Sequence, residues 1–127
     1  MYIYANPNPK RKTVGDCVIR GISIITDQSW SIVYKDLCDL GFKLHDMPSS
    51  NAVWSEYLFE KGFERIAIPD TCPTMCYTVK EFCKDNPIGD YLLGTGSHVV
   101  AVLDGNYYDT WDSGSEVPIY YFKRRNL

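Results

Sequence analysis

Three side chains in this sequence, Cys17, His98 and Asp109, have the types and surroundings needed for nucleophilic chemistry. A thiol attacks carbonyl carbon once its proton is removed, an imidazole can take that proton, and a carboxylate can hold the imidazole in its useful tautomer. His98 opens the β-branched run Val99-Val100-Ala101-Val102-Leu103. Asp104-Gly105 then supplies the positive φ angles of a tight type I′ turn, and Asn106-Tyr107-Tyr108-Asp109-Thr110-Trp111 returns. With Asp104 and Gly105 as the turn, Leu103 lies opposite Asn106, Val102 opposite Tyr107, Val100 opposite Asp109 and His98 opposite Trp111. Period-two alternation then puts His98, Val100, Asp109 and Trp111 on one face, with His98 and Asp109 as diagonal neighbours. Asp112 points the other way, and a slip of one residue would exchange the two carboxylates.

An element must bring the sulfur to that hairpin. Val14, Val18, Ile22 and Ile25 form a helical stripe, and a helix from about Asp16 to Ile25 is expected, with Asp16 or Thr13 as its N-cap. Either cap leaves Cys17 in the first turn. There the unpaired backbone N–H groups and the positive end of the helix dipole favour thiolate over thiol.

The order Cys17, Ser97-His98, Asp109-Thr110-Trp111 resembles the papain-like cysteine peptidase superfamily. The resemblance implies a cysteine at the start of the first helix, a histidine at a strand start and an Asn/Asp-Ser-Trp-like element. In that element Asp109 would orient His98, and Trp111 would shield their hydrogen bond. It extends to small bacterial and phage-encoded proteins of the bacteriocin-processing-peptidase-like kind. The glutamine that papain-type enzymes carry shortly before the nucleophile has no counterpart in Asn6-Pro7-Asn8-Pro9-Lys10-Arg11-Lys12. Asn8 or Asn6 offers an amide NH₂ in its place, and Asn8 is the candidate oxyanion donor.

The 127 residues suit one domain, residues 1–127, able to bury a core without metal or disulfide staples. A net charge of −3 argues against a nucleic-acid footprint, and Lys10-Arg11-Lys12 and Lys123-Arg124-Arg125 read as solvated runs. Neither a membrane span nor an export signal is recognisable. Five cysteines without an export signal read as free thiols in a cytoplasm, which for a phage-encoded protein would be the host's. Cys72, Cys76 and Cys83 lack a fourth ligand for zinc, so no metal and no cofactor are expected. His45, in a polar connection, is the rival imidazole.

The remaining segments read as follows. Residues 1–12 form an extended entry, because Pro7 and Pro9 keep it out of helix. Thr26-Asp27-Gln28-Ser29 caps a second helix carrying Trp30, Val33, Tyr34, Leu37 and Cys38, ended by Gly41. Ser50 caps a third helix with Val53, Trp54, Tyr57 and Leu58 inside. Phe63–Ile68 is a strand, and Thr78-x-x-Glu81 is a capping box opening a fourth helix. Asp90–Leu93 and Val117–Phe122 supply further strands, Pro118 marking the latter as an edge or a strand start. Helices precede strands, so the fold class is α+β with N-terminal helices packed on an antiparallel sheet.

Two functions fit this reading. One is a cysteine hydrolase of the peptidase or amidase type, cleaving a peptide, isopeptide or amide bond in a protein or peptide substrate with Cys17, His98 and Asp109. The other is a catalytically inactive papain-like scaffold of phage or mobile-element origin that binds a protein. The register predicts that Asp109→Ala lowers hydrolysis by about a hundredfold or more, whereas Asp109→Asn retains part of it. Steady-state rates showing Asp112→Ala as the damaging change would contradict that register.

Overall fold

Leu92-Leu93, Val99-Val100-Ala101-Val102 and Tyr120-Tyr121-Phe122 are apolar at consecutive positions, which suits strands covered on both faces. The computed structural model, which describes residues 1–126, has these strands at its centre. Among the described residues the elements run β1 (Tyr2–Tyr4), α1 (Cys17–Thr26), α2 (Trp30–Leu44), α3 (Asn51–Glu60), β2 (Phe63–Ala67), α4 (Val79–Asp85), β3 (Asp90–Gly94), β4 (Val99–Leu103), β5 (Asn106–Asp109) and β6 (Tyr120–Arg124). The fold is α+β, and its six-stranded sheet has the order β1-β5-β4-β3-β6-β2. The sheet is mixed, which corrects the antiparallel expectation: the entry segment contributes β1, and β1 runs parallel to β5. Its Tyr-Ile-Tyr run is compatible with a strand and lies ahead of the two prolines that keep the following segment irregular.

The helices divide between the two faces. On one, Ile22 and Ile25 of α1, Val33 and Leu37 of α2, and Val53, Trp54 and Leu58 of α3 pack on Leu92, Val99, Ala101, Tyr120 and Phe122. On the other, Val79, Phe82 and Cys83 of α4 pack on Leu93, Val100, Val102 and Tyr107. Adjacent strand residues thus enter opposite cores, as the pleat requires.

The β4–β5 hairpin has the expected register, with Leu103 opposite Asn106 and Val102 opposite Tyr107. Asp104 and Gly105 take φ of 48° and 78°. The last pair is Ala101 with Tyr108, so the expected pairing of Val100 with Asp109 and of His98 with Trp111 is not made. Val100 faces the α4 core. His98 lies just before β4, and Asp109 lies beyond the last β4–β5 pair while still pairing with Tyr4 of β1.

Several boundaries differ from expectation. α2 passes through Gly41 and ends at Leu44, with His45 at φ 55° as its cap. Gly41 is required by space: a Cβ there would lie 2.8 Å from the Asp46 carbonyl oxygen. Tyr34, expected on the buried stripe, is exposed and stacks on Trp30 at 5.2 Å. β6 starts at Tyr120 and lies between β3 and β2, so Pro118 marks neither an edge nor a strand start. Ser29, Ser50 and Thr78 cap α2, α3 and α4 as read.

Cys72 and Cys76 are joined by a disulfide, which corrects the expectation of five free thiols. A turn closed by the Met75 N–H on the Thr71 carbonyl at 2.9 Å accompanies a Cα separation of 4.5 Å, within disulfide reach. Cys17, Cys38 and Cys83 are the free cysteines among the described residues. No helix among the described residues is long and apolar enough to cross a membrane.

Gly94 ends β3 against the Tyr120 ring, where an added Cβ would meet Cζ at 2.0 Å. Gly94→Ala should therefore cost about 1–3 kcal/mol by overpacking. The check is a lower urea midpoint with an unchanged slope.

Candidate active site at the start of α1

The site is built from three pieces of chain. α1 begins at Cys17, so the sulfur is carried by the first helical residue, one position after the N-cap Asp16. Asp16 occupies the cap position without capping, since its side chain makes no bond to the helix backbone. Its carboxylate instead accepts from Arg20 Nη1, and from Trp30 Nε1 at 2.9 Å. β3 and β4 are joined by a turn in which the Thr95 N–H donates to the His98 carbonyl at 2.8 Å. Gly96 takes φ +103° within that turn, a backbone conformation that favours glycine. His98 is thereby fixed just before β4. Asp109 closes β5, whose partner β1 is extended by the Ala5 N–H donating to the Asp109 carbonyl at 3.0 Å.

His98 and Asp109 meet as expected: Nε2–H donates to Oδ2 at 2.6 Å. An ionised carboxylate accepts only, so this bond fixes which ring nitrogen carries the proton. Asp109 is 3% exposed yet fully partnered. Oδ2 also accepts from Ser113 Oγ at 2.7 Å, while Oδ1 accepts from the Thr110 N–H at 2.8 Å and Arg20 Nη2 at 3.3 Å. Burial pushes its pKa up, but the bonds from His98 and Ser113, the positive charge of His98 and the Thr110 N–H prevail and lower it.

With Nε2 committed to Asp109, Nδ1 is the ring nitrogen left to act on Cys17. Burial opposes the thiolate, but hydrogen bonds from His98 and the Val99 backbone N–H, with the charges of His98 and Arg20, bring the Cys17 pKa below its ordinary value. The same interactions act in reverse on the ring. Burial disfavours the imidazolium, yet bonds to Asp109 and Cys17 raise its pKa to about 9. A thiolate–imidazolium pair is the charge state these contacts favour.

Trp111 lies beside the ring, its centroid 4.9 Å from that of His98. A small cavity of about 110 Å³ adjoins the sulfur, lined by Cys17, Val18, Asn51, Trp54, Gly96, Ser97, His98, Val99 and Tyr120. Asn8 is 5% exposed. Its Oδ1 accepts from the Lys10 N–H at 2.9 Å. Asn8 does not line that cavity. Asp112 points elsewhere, accepting from the Tyr107 hydroxyl and the Gly114 N–H. The rival His45 is exposed at the end of α2, its ring on the Phe42 carbonyl at 3.1 Å.

Sequence reasoning did not assign Ser113 or Asp16 a part in this site. Arg20 also belongs to it, being 8% exposed and bridging two carboxylates. Its spacing was the available signal, because Asp16 and Arg20 stand four apart on one helix. Ser113 had none, since a serine opening a turn carries no pattern. Comparison with protein-family models, curated proteins and solved structures found no match to this chain.

These contacts predict selective alkylation. At pH 6, iodoacetamide should label Cys17 ahead of Cys83, whose thiol burial pushes up. In His98→Ala the Cys17 rate should fall and its pH profile move upward, as peptide mass spectrometry would record.

Proposed function

We propose that this chain is a papain-like thiol hydrolase acting on a peptide, isopeptide or side-chain amide bond. The observation that carries the reading is the His98–Asp109 hydrogen bond at 2.6 Å beside the Cys17 thiol, which lines the same small cavity as His98 and whose pKa His98 lowers. It joins a nucleophile, a proton carrier and an orienting group contributed by three separate parts of the chain.

In the first half-reaction the Cys17 thiolate bonds to the carbonyl carbon, and the π pair moves onto oxygen. The oxyanion is met by the Cys17 backbone N–H, unpaired at the helix start. The carbon–nitrogen bond then breaks as His98 Nδ1–H protonates the leaving amine, giving a thioester and a neutral imidazole. In the second half, water attacks the thioester while Nδ1 takes its proton. The carbon–sulfur bond breaks, releasing the acid and restoring thiolate and imidazolium. Asp109 holds the ring throughout by its 2.6 Å bond to Nε2, and Trp111 covers that side of the imidazole.

The test is incubation with a proteome-derived peptide mixture and mass spectrometry of new termini. Cleavage lost in Cys17→Ala, with the fold retained, is the expected result. No cleavage by the wild-type chain, together with uniform slow alkylation of its free cysteines, would favour the inactive binding scaffold.

The pH dependence has a definite sign. Activity should rise on the acid side through the lowered Cys17 pKa and fall on the alkaline side as His98 loses its proton near 9. A kcat/KM profile against pH checks both limbs.

A further inference from the structure

We infer that Arg20 is a positioning residue, whose guanidinium forks between Asp16 and Asp109, holds Asp109 for His98 and cancels the negative charge beside Cys17. The inference rests on the thiol-hydrolase reading and gives it a component that the Cys-His-Asp series lacks.

Arg20 lies one turn beyond the nucleophile on α1. Nη1 donates to Asp16 Oδ1, and Nη2 donates to Asp109 Oδ1 at 3.3 Å. Asp16, Arg20 and Asp109 are 4%, 8% and 3% exposed, so water screens none of them appreciably. Asp16 is a buried anion adjacent in sequence to the sulfur. Unpaired, it would oppose formation of a second anion at Cys17. The planar fork meets two carboxylates at once, a geometry that a lysine cannot reproduce. Trp30 Nε1 holds the other oxygen of Asp16 at 2.9 Å, so the pair cannot simply swing apart.

The pairing also ties the sulfur to its partner strand. α1 and β5 are distant in sequence, and Arg20 joins them directly through Asp109. Other groups act on the sulfur too. His98 comes from the β3–β4 turn and the Tyr120 phenol from β6, while α3 contributes the uncharged Asn51 and Trp54. Among the charged groups named, Asp16 is the one that Arg20 alone neutralises.

The experiment is the iodoacetamide pH profile of Cys17 in the folded chain, with circular dichroism reporting the fold. Arg20→Gln should move the midpoint up by about one pH unit or more, with Asp16→Asn in that background bringing it back toward wild type. Asp16→Asn alone keeps the cation and should lower the midpoint, which provides a readout should Arg20→Gln fail to fold. A purely structural Arg20 would reduce thermal stability and leave these midpoints where they are. If His98→Ala shifts the profile while the Arg20 and Asp16 variants leave it unmoved, this inference is overturned and the hydrolase reading stands. If His98→Ala leaves it unmoved as well, the hydrolase reading fails.

Discussion

The Asp109 carboxylate is the point at which the elements of the site are joined. It takes donors from the β3–β4 turn, from α1 and from the segment following β5, together with its neighbouring backbone N–H. A buried carboxylate is costly unless its lone pairs are used, and here four donors share two oxygens. The cost of burial becomes a constraint: moving α1, the turn or the Ser113 segment strands part of that charge. One ionised group thus holds the sulfur-bearing helix against the imidazole-bearing strand.

The two-faced sheet makes this possible. α1 lies over β4 through Ile22, Ile25, Val99 and Ala101, which directs the helix start toward the end of the sheet where His98 and Asp109 emerge. α4 covers the reverse face and stiffens the same strands through Val100, Val102 and Tyr107. The site thus sits where the β4–β5 ladder ends, with Asp109 still held by β1 and joined to Arg20 of α1.

Much of this was legible in the residues. The Asp104-Gly105 turn set the register of the three hairpin pairs nearest it; His98 does meet Asp109, but not through the Val100–Asp109 and His98–Trp111 pairs expected to bring them together. The apolar stripe of α1 set Cys17 at a helix start, and serine and threonine caps located the other helices. The errors have physical causes. A three-residue β1 carries little pattern, and its partner is remote in the chain. Gly41 looks like a helix stop because the tight packing of Asp46 that requires a glycine is tertiary. Pro118 looks like an edge, although the strand it precedes lies in the sheet interior. The sequence shows Arg20 one partner, Asp16, four residues away, but not the other, Asp109, 89 residues on.

The central claim is that Cys17 and Asp109 together hold a proton on His98. The most direct measurement is an NMR titration of the His98 ring in a His45→Gln background, which leaves a single imidazole to observe. The account predicts titration near 9 in the wild-type site, falling in Cys17→Ala. A ring that titrates at the ordinary 6.5, and does so whether or not the sulfur is present, would contradict it.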